Sequence, residues 1–161
     1  MRFTLIDRVT ELEPGSRITA HKNLSLAEEY LADHFPGFPV MPGVLMLEAM
    51  TQASAWLIRA SEDFAHSIVT LKEARNVKYA SFVEPGEILT VTAEFQSQDD
   101  RDTKIKAQGS VDGRTTVSAR LVLERYNLSN ENLEKAEADE VVVKNLRELF
   151  AQLYRAEAPQ A

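Results

Sequence analysis

His34-Phe35-Pro36-Gly37, Met41-Pro42-Gly43-Val44-Leu45 and Glu48-Ala49-Met50-Thr51-Gln52 bring a base, backbone donors and an acid into one short stretch of chain. Imidazole titrates near neutrality, so His34 can take a proton. A carboxyl shielded from water keeps its proton more readily, so Glu48, one turn inside an otherwise apolar helix, can act as a general acid. Gly43 and Val44 open that helix. Their N–H groups have no intrahelical acceptor and suit a developing oxyanion. Together these parts suit removal of the α-proton beside a thioester carbonyl with loss of a β-hydroxyl. Neither a metal nor an organic cofactor is needed. The blander reading is a structural histidine before a proline loop and a glutamate held by an arginine or an interface.

The elements that must position these groups follow from the surrounding pattern. Pro36, Pro39 and Pro42 forbid regular helix and impose a fixed loop. Val44–Ala60 has no internal Gly or Pro and is apolar nearly all round, which predicts a central helix wrapped by other structure. Residues 2–24 read as strands broken at Glu13-Pro14-Gly15, and Ser25 with Glu28 reads as a capping box for a short helix to about Leu31. Ile68–Tyr79 reads as extended. Leu89–Phe95, Ile105–Val111 and Val117–Leu123 alternate apolar and polar, and Asp112-Gly113 is a hairpin signal. The expected class is α+β: an antiparallel sheet wrapped around one central helix, with a C-terminal helical extension. Residues 1–126 form the main domain. Residues 127–161 form a linker and an amphipathic helix whose face is Val141, Leu146, Leu149, Phe150, Leu153 and Tyr154.

Composition narrows the function. Lys and Arg number 18 against 25 Asp and Glu, giving a net charge of −7, which argues against nucleic acid as the partner. With no Cys, thiolate metal sites and cysteine nucleophiles are excluded. His21 and His66 lack companions at ligand spacing, so no metal is expected. No secretory signal opens the chain, and Glu48 interrupts the longest apolar stretch. The expected setting is therefore the cytoplasm, with no membrane span.

The quoted motifs resemble the 3-hydroxyacyl-[acyl-carrier-protein] dehydratases of type II fatty-acid synthesis, a hotdog-fold family. Leu5–Val9, Glu11–Gly15, Asn76–Tyr79 and Val83–Glu87 extend the resemblance to about residues 3–125. It implies dehydration of 3-hydroxyacyl carrier protein to the trans-2-enoyl product without a cofactor. It implies a homodimer, or a trimer of dimers, paired through sheet edges, with His34 of one subunit facing Glu48 of the other. Gly43 would supply the donor to the thioester carbonyl, and Gln52 would hold the carboxyl or a water. Phe35, Val44 and Leu45 would line the acyl tunnel. Asp33 stands where the family has Gly. The alternatives are a thioesterase or hydratase of the same fold, or a non-catalytic carrier-binding subunit. Arg59, Lys72, Arg75 and Lys78 form a candidate basic patch for an acidic carrier.

Overall fold

The computed structural model describes residues 3–155. Strands β1 (Arg8–Glu13), β2 (Arg17–Asn23), β3 (Ile68–Tyr79), β4 (Ile88–Gln98), β5 (Asp102–Val111) and β6 (Arg114–Tyr126) form one antiparallel sheet in the order β1-β2-β4-β5-β6-β3. The Asp112-Gly113 turn has φ of 48° and 77°, the two left-handed residues that let a two-residue loop follow the twist of its strands. In β5 every second residue from Thr103 to Val111 is buried, so one face of the sheet is dry.

Helix α2 (Gly43–Ser61) lies against that face. Ala49 and Ala53 are small and fully buried, which brings the helix close to the sheet. Met50, Leu57 and Ile58 fill the space over Ile18, Leu89, Ile105, Leu121 and Leu123. This is the hotdog arrangement expected from the sequence. The wrapping is incomplete, however. Val44 is 69% exposed, and Leu45, Leu47 and Glu48 are only half-buried. The apolar character of the first two turns therefore faces outward rather than into the core of this chain.

Two further expectations shift. No helix starts at Ser25: helix α1 is Tyr30–Asp33, and Glu28 pairs with Lys22 instead of capping. Ser25 Oγ accepts from the Ala27 N–H at 3.2 Å, a local turn that competes with a helix start. Strand β3 is bulged at Leu71/Glu73 and again at Arg75/Lys78, where Asn76 has φ of 51°. These bulges curl the strand at the free edge of the sheet.

Helix α3 (Ala136–Leu153) closes the far end. Leu153 is buried, and Leu146, Leu149, Phe150 and Tyr154 pack on the core. Val141 does not join them; it is 54% exposed, and Val143 takes the inward place. The Phe150 ring packs with centroids 5.5 Å from Trp56, tilted, and 5.6 Å from Phe64, edge-on. Asp139, at the start of α3, accepts hydrogen bonds from Ser67 Oγ and from the Leu128 and Ser129 N–H groups, each N–H at 2.9 Å. Burial pushes its carboxyl up, but these bonds more than offset it and hold it well below the usual carboxylate range.

Candidate active site

His34 follows α1 directly, its N–H closing that helix on Tyr30 O at 3.2 Å. Beyond it the chain turns back through Phe35 at φ 53° and Gly37 at φ 85°, with the Phe38 N–H on Phe35 O. A left-handed phenylalanine is costly and persists only where its surroundings hold it. Here its ring packs on the His34 imidazole at 4.3 Å. His34 Nδ1 lies 3.1 Å from Val40 O. A carbonyl can only accept, so Nδ1 carries the hydrogen and Nε2 keeps its lone pair for a proton from outside.

That ring lines a cleft of about 430 Å³ with Phe35, Met41, Gly43, Met46, Tyr79 and Phe82. The floor is the start of α2. Pro42 supplies no side-chain cap, and the Gly43 and Val44 N–H groups have no acceptor among the described residues. They stand as free donors at the positive end of a nineteen-residue helix. Glycine at 43 lets the Tyr79 ring lie against the helix start. A Cβ there would lie 2.9 Å from the Tyr79 ring, closer than real contacts allow.

Glu48 does not line this cleft. It lines a second one of about 320 Å³ with Thr51, Gln52, Ala55 and Arg59 of α2, Val69 and Leu71 of β3, and Phe3 and Thr4. The geometry of a helix explains the separation. At 3.6 residues per turn, Glu48, Gln52, Ala55 and Arg59 fall on one stripe, while Gly43 and Met46 lie on nearly the opposite side. Within one chain, then, His34 and the Gly43 donors come together, and Glu48 and Gln52 come together, but the two pairs do not meet.

Gln52 fixes the acid. Its Nε2 donates to Glu48 Oε1 at 2.9 Å and to Phe3 O at 3.0 Å, and its Oε1 accepts the Leu5 N–H at 2.8 Å. The side chain is fully engaged, and one Glu48 oxygen is left to the cleft. Glu48 is half-buried rather than enclosed in this chain. Val44 lies on the Glu48 side of the helix and is open to solvent.

Sequence reasoning missed the Val40 carbonyl and the Tyr79 ring, because both act through loop and strand geometry that no spacing encodes. It offered Arg59 as a candidate for a basic patch, whereas Arg59 faces the Glu48 cleft. Two more members of that patch are already engaged, Lys72 by Asp102 at 2.7 Å and Arg75 by Glu73 at 2.6 Å. Asp33 is exposed at the end of α1. Among the described residues no cluster of His, Asp and Glu suits a metal, and no helix is long and apolar enough to cross a membrane.

A family model described as the FabA-like domain matches residues 1–120. The chain is 37% identical over 119 residues to a protein of Ruminiclostridium cellulolyticum described as 3-hydroxyacyl-[acyl-carrier-protein] dehydratase FabZ, covering 74% of this chain and 84% of that one. A protein of the same description from Dechloromonas aromatica is 40% identical over 129 residues, covering 78% and 90%. Among solved structures, the dehydratase heterocomplex ApeI:P of Xenorhabdus doucetiae superposes with a TM-score of 0.65 at 20% identity, covering 78% of this chain and 85% of that one. A hypothetical thioesterase of Streptococcus pneumoniae with coenzyme A gives 0.55 at 11%, covering 73% and 84%. The structural likenesses carry the fold alone.

Proposed function

The chain belongs to the FabA-like family of 3-hydroxyacyl-[acyl-carrier-protein] dehydratases, and from that premise we propose that its site is completed by two copies, His34 of one facing Glu48 of the other. The activity is a lyase reaction of fatty-acid biosynthesis, the loss of water from a 3-hydroxyacyl carrier protein. One observation carries the two-copy reading: His34 and Glu48 line separate clefts on opposite sides of α2, so neither cleft of one chain holds both an acid and a base of the pair.

The remaining features are consistent with it. Strand β3 is at the sheet edge with one side unpaired, and exposed Val44 and Tyr79 flank the helix start. A second copy set against β3 would cover these groups and bring its own loop to the Glu48 cleft. In the reaction, the thioester oxygen accepts the Gly43 N–H. His34 Nε2 removes the proton from C2, and the charge moves onto that oxygen. Glu48 of the second copy donates its proton to the 3-hydroxyl, which leaves as water while the C2–C3 double bond forms. The proton taken by His34 then returns to Glu48, restoring both groups. Val44 and Phe35 supply apolar wall for the acyl chain. The test is mass-spectrometric detection of water loss from a 3-hydroxyacyl carrier protein. Product with wild type, and a rate lower by about a hundredfold or more with either His34→Ala or Glu48→Gln, is expected. Turnover by either variant at the wild-type rate would contradict the assignment.

A further inference from the structure

We infer that Arg59 is a specificity-determining residue, and that the cleft beginning at Glu48 receives an acyl chain whose far end carries a carboxylate. This rests on the dehydratase reading only in calling the occupant an acyl chain. The cleft is a built feature in its own right. Its walls are Ala55, Trp56, Val69 and Leu71, with Glu48 near one end and Arg59 on the same helical stripe eleven residues on. At 1.5 Å per residue that separation is roughly 16 Å along the helix, the scale of an extended acyl chain.

Arg59 is not used up by the fold. No carboxylate among the described residues pairs with it. Its Nε is enclosed and has no hydrogen-bond partner, and its one bond is a long contact from a terminal nitrogen to Val69 O at 3.4 Å. The guanidinium lies 5.3 Å from the centre of the Trp56 ring, which orients the plane without neutralising the charge. Burial has pulled it down to about 10, below the usual arginine range. An arginine near the end of a helix favours the helix dipole, but that favours a solvated side chain equally well. A guanidinium held beside a tryptophan at the end of a cleft whose walls there are Ala55, Trp56, Val69 and Leu71 is instead poised for a planar anion, which it can grip with two parallel hydrogen bonds. By the same token a methyl end would leave a desolvated cation unpaired.

The test uses the full-length protein and two 3-hydroxyacyl N-acetylcysteamine thioester series of matched lengths, one ending in methyl and one in carboxylate. Binding is read by calorimetry and turnover by loss of water. Wild type is expected to bind the best-fitting carboxylate-ended member at least about tenfold more tightly than its methyl-ended match, the size of a charge-assisted bond. Arg59→Met should remove that preference and spare or improve the methyl series, and Arg59→Lys should keep part of it. Arg59→Lys also serves if Arg59→Met fails to fold. A wild type that prefers methyl ends, or a preference unmoved by Arg59→Met, overturns the proposal. So does a dimer that dissociates only in Arg59→Met, because a carboxylate of the second copy would then be the partner. Failure of the dehydratase reading looks different: neither series loses water, while calorimetry still reports the preference.

Discussion

The two ends of helix α2 are built to opposite rules. At its start, Val44, Tyr79, Phe35, Phe38 and Phe82 are all about half exposed or more, and the Gly43 and Val44 N–H groups have no acceptor among the described residues. At its finish, Trp56, Leu57 and Ile58 are buried, Phe64 and Phe150 cover them, and Glu62 accepts from His66 Nδ1, Gln98 Nε2 and Arg125 Nε at 3.1, 2.6 and 2.8 Å. One end leaves apolar surface and hydrogen-bonding capacity unused; the other, the Arg59 guanidinium apart, uses nearly all of it. Exposed apolar side chains gain stability only when something covers them, so their concentration around His34 fits the proposal that substrate and a second copy meet at this end.

Changes at the two ends should therefore separate activity from stability. The largest effect belongs to Glu48→Gln, which is expected to lower kcat by about 10²–10⁴-fold with little change in Tm, because the amide keeps the shape and can still accept the Gln52 bond but cannot act as an acid. A matching fall in Tm would show that Glu48 serves the fold. At the sealed end, Leu57→Ala, which removes a fully buried side chain that lines neither cleft, should destabilise by about 2–5 kcal/mol in chemical denaturation while each folded molecule turns over at nearly the wild-type rate. Gly43→Ala should reduce kcat/KM about tenfold or more by pushing the Tyr79 ring off the helix start, with a stability loss of about 1–3 kcal/mol.

The smallest effect is one of pH. The Asp139 carboxyl is held below its ordinary value of 3.8 in the folded chain. Between the two values the unfolded chain binds the proton and the folded chain does not, so stability rises with pH there. The contribution of Asp139 is thus complete above about pH 4 to 5 and is lost as the pH falls below that. Asp139→Asn should flatten the acid limb of a Tm-against-pH curve and loosen α3 to proteolysis at neutral pH. An unchanged acid limb would mean that the latch on Ser67 and Ser129 adds nothing.

Much of this division is legible in the sequence, for reasons that differ by element. Alternation placed β4, β5 and β6, and Asp112-Gly113 fixed their hairpin, because period-two burial and left-handed turn residues are local properties. The pattern puts the end of α2 at Ala60, one residue short of Ser61, but what stops the helix was not legible. Nothing between Ala60 and Ala65 is Gly or Pro, and the helix stops because Asp63 and Phe64 adopt φ of 47° and 58° while the Phe64 N–H reaches back to Arg59 O. That stop is held by Phe150 and Arg147, nearly ninety residues away in the chain for the first and only slightly less for the second, so no window could show it. His34, Gly43 and Glu48 stood out by type and spacing. Their distribution over two clefts depends on which way α2 is rolled against the sheet, and that is decided by Ala49, Ala53 and the core beneath them. Arg59 was visible as a cation but not as a cleft residue for the same reason.

The most direct measurement mixes two inactive proteins. His34→Ala and Glu48→Gln, each purified, would be unfolded together, refolded, and assayed for water loss from a 3-hydroxyacyl carrier protein. If two copies complete each site, mixed dimers regain one intact site, and random pairing restores about a quarter of the wild-type rate. If the mixture stays as inactive as its components while forming mixed dimers, each chain must hold its own acid and base, and the account of the two clefts is wrong.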